Sequence, residues 1–336
     1  MDTYPETPRA RVASPRLAIA FLIAAVFGLL SAPAIYAASC CGGGSGSTLV
    51  LPKYARYMAD VSTEFEVYDG FWNGEGAYLK DPAGSDLRQH RLNLGVAARL
   101  APRWQAGLSV PFVRNDNRYS GVTTQSQGAG DVALNLWYET FDGVTCVSRV
   151  RSLRELKPAA YLGAALTIPT GISPFDDHTS SMEITGRGFY RLDGSLLLEK
   201  TVYPFNASLA LGYGAHLERP VNREYGRSVE PYHRRLGNRA TGSFSLGYTH
   251  MLESLHSLTF ALGYSRLWEG EGTVNGAPDP AGGLEKRAVA TNLSFASVNG
   301  TWVARTGWSH AVQRDGWGKN FPATDTFSMG VGRVFH

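Results

Sequence analysis

One short stretch of the sequence combines a nucleophile with a base. His178 and Ser180 are two residues apart, so on a strand both side chains would face the same way. A serine hydroxyl becomes a nucleophile when an adjacent histidine accepts its proton. Here the pair follows Pro, Phe, Asp and Asp at 174–177, a composition that predicts a loop rather than a strand. We therefore predict that the chain is not an enzyme.

Residues that ligate metals are few and scattered. The histidines form neither a His-x-His nor a His-Glu-x-x-His pattern, so a metal enzyme has no support. Cys40 and Cys41 are adjacent, and two neighbouring thiolates suit a soft metal ion; the alternative is an oxidised pair without a role. We predict no cofactor, and whether these two cysteines hold a metal stays open.

Charged residues alternate with apolar ones along much of the chain. Between residues 59 and 67 the odd positions hold Ala, Val, Thr, Phe and Val, while the even positions hold Asp, Ser, Glu and Glu. Side chains alternate across a strand, so this pattern predicts one apolar and one polar face. Twelve segments show the pattern: 54–68, 87–100, 104–113, 131–141, 157–168, 189–200, 205–216, 241–250, 257–268, 286–297, 301–312 and 326–335.

The connections between these segments alternate in length. Those after the second, sixth, eighth and tenth segments are short, whereas those after the odd segments are long and rich in Gly, Asp, Asn and Pro. This alternation is typical of outer-membrane barrels, which have short periplasmic turns and long extracellular loops. We predict an all-β fold, a transmembrane antiparallel β-barrel of about 12 strands. The segment 142–155 is longer than its periplasmic side predicts, and the pattern gives no reason for it.

A soluble β-sandwich or lipocalin-like barrel is the alternative, with its apolar faces turned inward. Aromatic residues near the predicted strand ends favour the membrane form, because such residues form girdles at both interfaces. On the turn side these are Tyr57, Trp104, Tyr138, Phe205, Tyr248, Trp302 and Phe335. The last strand, 326–335, is predicted to pair with 59–67 and to leave Arg333 near the periplasmic interface.

The polar faces of the strands would line the lumen of such a barrel. The lumen-facing candidates are Asp60, Glu64, Arg91, Arg99, Asp131, Glu139, Arg191, Asp193, Glu199 and Arg305. They would either make a zwitterionic pore for polar solutes or pair with one another and close a narrow barrel. Asp131 follows Gly128 and Gly130, which permit a tight bend, and either pairs with Arg91 or Arg114 or accepts hydrogen bonds that close a loop.

The N-terminus has the features of a secretory signal peptide. Three arginines precede an uncharged run of 14 residues at 17–30, and a small-residue stretch follows at 31–38. That run is too short for a comfortable transmembrane helix, although a retained anchor is the alternative. We predict a signal peptide at 1–38, a Cys/Gly-rich periplasmic segment at 39–53 and the barrel at 54–336, in the bacterial outer membrane.

Part of the sequence resembles a known family. The motifs are Leu-Ser-Val-Pro-Phe at 108–112, Gly-Ala-Gly-Asp-Val-Ala-Leu at 128–134 and Leu-Thr-Ile-Pro-Thr-Gly at 166–171. They are similar to those of outer-membrane proteins associated with the meta-cleavage pathway of phenol degradation. The resemblance covers the third to sixth strands and implies an outer-membrane barrel of the transporter type. It names no substrate.

We predict a channel or transporter for a small solute that performs no chemistry. The alternative is a closed structural barrel that engages a partner through its loops or its Cys-Cys-Gly tail. Twelve-stranded outer-membrane phospholipases use a His-x-Ser pair, but the residues that flank it in those enzymes are absent here. The expected partners are outer-membrane lipid, lipopolysaccharide at the basic loop 217–239, the barrel-insertion machinery at the terminal aromatic Phe335, and the solute, with no nucleic acid.

Overall fold

The computed structural model describes residues 49–140, 146–178 and 180–336. The predicted signal peptide, the cysteine pair at 40–41 and Thr179 lie outside the described residues. In the described part, no helix is long and apolar enough to cross a membrane.

Twelve long strands carry the fold, and they correspond one to one with the predicted segments. They are β1 (Tyr57–Trp72), β2 (Asp86–Ala101), β3 (Trp104–Tyr119), β4 (Val132–Glu139), β5 (Ala159–Ile168), β6 (Arg191–Val202), β7 (Phe205–His216), β8 (Arg239–Met251), β9 (Ser257–Glu269), β10 (Leu284–Ala296), β11 (Trp302–His310) and β12 (Phe321–Phe335).

Each strand pairs antiparallel with the next, and the last strand pairs with the first. The seam between β1 and β12 matches Ala59 with Arg333 and Val67 with Asp325 in continuous register. The predicted pairing of 326–335 with 59–67 is therefore confirmed. Closure gives both edge strands a partner, which an open sheet in lipid would lack.

The outer face of the barrel is apolar. Leu246, Leu262 and Met329 expose 54%, 56% and 64% of their surface, although each lies within a long strand. Soluble barrels bury such residues, whereas lipid-facing strands present them to the acyl chains. At the turn side, aromatic rings pair on this face, with Trp104 and Tyr138 4.9 Å apart between ring centroids. The membrane form of the fold is the one observed.

Short turns lie at one end of the barrel and long connections at the other; we call these the turn end and the loop end. The loop end carries the short strands Tyr78–Leu79, Val122–Ala129, Arg219–Glu224, Arg227–Arg235, Gly272–Val274, Ala277–Asp279 and Gly318–Lys319, with a 3₁₀ helix at Ser181–Glu183. Of the unexplained segment 142–155, the structure describes residues 146–155, which lie at the turn end. There Cys146–Val147 extends the sheet beside the end of β6, and Leu153–Leu156 forms a 3₁₀ turn.

Buried apolar residues form several separate clusters. Two lie inside the turn end, around Leu51 and around Trp137. Two lie among the loops, around Trp72 and around Phe175. Between them the inner face carries small and charged residues, so the described residues form no single apolar core of the kind that a soluble domain has.

We predict that a charge in the middle of the outer face destabilises the barrel. Leu246→Arg should lower the free energy of unfolding by about 2–4 kcal/mol, because the guanidinium would face acyl chains near the bilayer midplane. Phe205→Arg, at the exposed turn end of β7, should cost only about 0–1 kcal/mol. Urea unfolding in lipid vesicles, followed by heat-modifiable gel mobility, measures both. Equal losses for the two variants would contradict the lipid-facing assignment.

Candidate functional site

The chain segment before β1 lies inside the turn end of the barrel. Leu51 exposes 1% of its surface, and its N–H donates to Oε1 of Gln105 on β3 at 2.7 Å. Gln105 is fully buried, and its Nε2 donates back to the Leu51 carbonyl at 3.4 Å. A reciprocal amide contact of this kind satisfies both backbone groups of a buried residue that belongs to no strand.

Glycines on the inner face make room for this segment, residues 49–55. A Cβ at Gly95 would lie 2.7 Å from a methyl group of Leu49, and one at Gly107 would lie 3.5 Å from the Leu49 Cβ. Val50 packs against the cluster that contains Trp137, which lies on the neighbouring strand β4 and pairs with Gln105. The segment thus lies along the inner face of β2 to β4, and we call it the lumen segment.

The ion pair between Arg99 and Glu139 holds the lumen segment in place. Nε of Arg99 donates to the Ala55 carbonyl at 2.9 Å, and a terminal nitrogen donates to the Pro52 carbonyl at 3.2 Å. The same guanidinium lies 3.5 Å from the buried carboxylate of Glu139, which also lies 3.8 Å from Nζ of Lys53. Arg99 and Glu139, two of the predicted lumen residues, therefore contact the lumen segment and do not face open water.

Another pair of predicted residues meets across a third strand. Arg305 on β11 donates to both oxygens of Asp60 on β1, at 2.7 and 2.6 Å, over the intervening β12. Gly330 and Gly332 permit this, because a Cβ there would lie 3.1 Å from the Arg305 guanidinium carbon and 3.0 Å from the carboxylate, respectively. A bidentate contact between buried charges is strong and directional.

Higher in the barrel, further pairs line the inner face of β1. Arg91 lies 3.2 Å from Glu64, and both residues are among the ten candidates. Glu66 instead contacts Nζ of Lys286 on β10 at 3.3 Å, and this lysine also donates to Thr324 at 2.5 Å. Lys286 was not among the predicted residues, although the alternation in the segment 286–297 could have placed it on the polar face.

The remaining candidates on β6 behave differently from one another. Arg191 donates through Nε to both oxygens of Asp193, at 2.8 and 2.9 Å. The carboxyl group of Glu199, nearer the turn end, makes no hydrogen bond or ion pair with the described residues. Among the ten candidates, Glu199 thus has no direct counter-ion in the described chain.

Asp131 closes a loop rather than pairing with a cation. Its two oxygens accept from the backbone N–H groups of Gly171 at 3.1 Å and Arg187 at 2.8 Å. The pairing with Arg91 or Arg114 does not occur, because Arg91 contacts Glu64 and Arg114 contacts Asp116. Asp131 therefore anchors the connection 169–190 to the start of β4.

That connection carries a contact that sequence reasoning missed. Arg187 donates to both oxygens of Glu269 at the end of β9, at 2.5 and 2.8 Å. Phe175 and Phe189 from the same connection pack with Val221 in a buried cluster at the loop end. The 82 residues between Arg187 and Glu269 leave no local signal that joins them.

The basic loop after β7 folds into a hairpin whose charges are largely matched. Arg234 lies 3.5 Å from Glu224 and 3.5 Å from Asp279, and Arg223 contacts Asp177. The hydroxyl of Tyr232 also donates to Glu224. Burial, followed by this hydrogen bond, raises the pKa of Tyr232 to about 12. The sequence predicted the net basic charge of this loop but not its acidic partners.

The His-x-Ser stretch does not form a nucleophile and base pair. Ser180 accepts from the backbone N–H of Met182 at 3.1 Å, and Nδ1 of His178 lies 3.7 Å from Glu183. In the part of the chain that the structure describes, no group of three His, Cys, Asp or Glu residues is placed to hold a metal ion.

Neither a protein-family model nor a curated protein sequence matches this chain. Among solved structures it is similar to an outer membrane channel from Pseudomonas putida F1, with a TM-score of 0.63 and 16% identity, covering 87% of this chain and 100% of that one. The β domain of the Bordetella autotransporter BrkA follows, with a TM-score of 0.49, 12% identity and coverage of 84% and 99%. The P. putida toluene transporter TodX has a TM-score of 0.37 and 10% identity, covering 84% of this chain and 90% of that one.

The last two scores are below 0.5 and carry no argument, whereas the first establishes the fold. The protein is a twelve-stranded β-barrel of the bacterial outer-membrane type, with an apolar outer belt and a charged inner face. The resemblance of the Gly-x-Gly-Asp motif to the phenol meta-cleavage family stays a prediction.

We predict that the pair formed by Asp60 and Arg305 stabilises the seam. Asp60→Asn should lower the free energy of unfolding by about 3 kcal/mol or more, because it leaves the Arg305 charge covered and without a counter-ion. Arg88→Gln removes an ion pair of the same type between exposed side chains and should cost less than about 1 kcal/mol. Urea unfolding of both variants in vesicles gives the comparison, and similar losses would show that the glycine-framed pair has no special role.

Proposed function

We propose that the protein is an outer-membrane channel for a small solute and that the lumen segment controls its turn end. The observation that carries this proposal is how the lumen is filled. At the turn end the interior is shared between residues 49–55, which belong to no strand, and inward strand side chains such as Trp137 and Leu197. Where Leu49 lies, the wall carries Gly95 and Gly107, so this part of the lumen is filled by the lumen segment and not by large side chains of the strands.

The ten lumen candidates fit a path for a polar or mixed solute. Six of them form three opposite pairs across strands: Asp60 with Arg305, Glu64 with Arg91, and Glu139 with Arg99. Paired charges on a lumen wall keep it hydrated without a strong field of one sign, so such a path discriminates by size and hydrogen bonding. We assign these side chains to the wall of the path.

The similar channel from Pseudomonas putida F1 supports a channel by analogy of fold. The family resemblance around Gly128 and Asp131 supports an outer-membrane transporter without naming its substrate. Contacts with outer-membrane lipid would be made by the aromatic girdle at the turn side, and contacts with lipopolysaccharide by the hairpin that contains Arg227. Phe335 at the end of β12 is the part that the barrel-insertion machinery would read.

A closed barrel that engages a partner is the second candidate. It is favoured by how completely the lumen segment is covered, since Leu51 exposes 1% of its surface and Gln105 none. In that case the loop-end cluster around Phe175 would support a docking surface and not the mouth of a pore. Single-channel recordings in planar bilayers separate the candidates, because a closed barrel gives no conductance even after the lumen segment is replaced by Gly-Ser repeats.

We predict that Gln105→Leu increases single-channel conductance. The variant removes both hydrogen bonds to Leu51 and leaves that buried N–H without a partner, so the lumen segment should leave its site more often. Gln125→Leu, in the exposed hairpin at the loop end, is the matched control and should conduct like the wild type. Unchanged conductance in Gln105→Leu, with a folded barrel by gel mobility, would contradict control by the lumen segment.

A further inference from the structure

Four residues in register form one row across β6 to β9 at the loop end. Asp193 pairs with Gly214, Gly214 with Arg239, and Arg239 with Glu269. Directly paired residues on antiparallel strands point to the same side, so the three side chains share the inner face. Gly214 contributes no side chain, and the Asp193 carboxylate lies over it: a Cβ there would be 2.1 Å from Oδ1.

Both acids in this row already have an arginine of their own. Arg191 donates to both oxygens of Asp193 through Nε, and Arg187 donates to both oxygens of Glu269 through its two terminal nitrogens. The charge of each carboxylate is therefore matched by one guanidinium. The side chain of Glu269 exposes 3% of its surface, so this matching takes place largely away from bulk water.

Arg239 is the guanidinium left over. It lies among the charges of Arg187, Arg191, Asp193 and Glu269, but it makes no hydrogen bond or ion pair with any residue that the structure describes. Together with Arg187 and Arg191, the row holds three arginines and two carboxylates, a net charge of about +1. A half-buried guanidinium has five N–H donors that need acceptors, and burial makes their absence costly.

A second unsatisfied group lies beside it. His216 pairs with Arg191 in register, two residues along β7 from Gly214. Its Nδ1 lies 2.8 Å from the Gly237 carbonyl oxygen, so this nitrogen carries the proton and donates. Its Nε2 is buried without a partner and presents a lone pair. Diagonal neighbours in a sheet are within reach of a long side chain, so Arg239 and His216 can contact one ligand.

We infer that Arg239 and His216 form a binding site for a small carboxylate that also carries a hydroxyl group. The carboxylate would accept hydrogen bonds from the Arg239 guanidinium and balance the extra positive charge of the row. The hydroxyl would donate to Nε2 of His216. An anion without an O–H group would satisfy only the guanidinium, and a neutral polyol only the histidine nitrogen. The place of the site on a solute path rests on the proposed channel function.

Calorimetric titration of the detergent-solubilised full barrel tests this site with three probes. Lactate carries both groups, acetate lacks the hydroxyl and glycerol lacks the carboxylate. We expect lactate to bind more tightly than acetate and glycerol not to bind. Arg239→Gln should weaken lactate binding about tenfold or more, because a charge-assisted contact is lost. Arg227→Gln, on the exposed hairpin, should bind lactate like the wild type.

The histidine is tested by His216→Asn, whose amide can still donate to the Gly237 carbonyl but lacks Nε2. This variant should bind lactate no better than acetate, while acetate binding stays at the wild-type level. Wild-type heats that are equal or absent for lactate and glycerol would overturn the inference, as would lactate binding unchanged in a folded Arg239→Gln barrel. The wild-type ranking decides the matter even if that variant does not fold.

Bilayer recordings keep this inference separate from the proposed function. Conductance without lactate binding would refute the site and leave the channel standing. Lactate binding without conductance in any variant would refute the channel and leave the site standing.

Discussion

Closure of the sheet is the constraint on which the rest of this structure depends. A strand in lipid has no water to satisfy its backbone, so each N–H and C=O within the bilayer needs a neighbouring strand. The seam between β1 and β12 meets that need in unbroken register from Tyr57 to Tyr68. Once the ring is closed, each strand residue within the bilayer faces either lipid or the interior. The alternation of apolar and polar residues in the sequence therefore corresponds to these two environments.

The interior that closure creates is organised by glycine and charge. Gly330 and Gly332 let Arg305 reach Asp60 over a whole strand, and Gly95 lets Leu49 approach the wall. Ion pairs that cross strands then serve as the inner counterpart of the outer apolar contacts. The lumen segment uses the same means, since a buried amide on β3 and the charged Arg99 hold it in place. The proposed channel thus depends on the lumen segment being held by few contacts, so that the segment can leave its site.

The strands and the seam could be predicted because their signal is local. Alternation in 59–67 and 326–335 sufficed to pair the two ends of the chain. Beyond the bilayer the signal fades, since both faces of a strand meet water there. The sequence therefore ended the third strand at 113, whereas β3 continues to Tyr119 through polar residues, and it placed Asp131 in the fourth strand, which begins at Val132.

Contacts in the interior could be predicted by face but not by partner. Parity placed Arg99 and Glu139 on the polar side, yet nothing local joins either of them to the lumen segment. Leu51 and Gln105 are 54 residues apart, and residues 49–55 have no periodicity that would predict a place inside the barrel. Such pairs depend on how the closed ring brings distant strands together, which only the three-dimensional structure supplies.

The central claim, that movement of the lumen segment opens the turn end, is tested most directly by locking that segment with a disulfide. Leu49 and Gly107 suit a cysteine pair, because a Cβ at Gly107 would lie 3.5 Å from that of Leu49, within the range of a disulfide. The native cysteines at 40, 41 and 146 would be replaced by serine. We predict low single-channel conductance when the pair is oxidised and a rise on reduction. A complete crosslink with equal conductance in both states would contradict the claim.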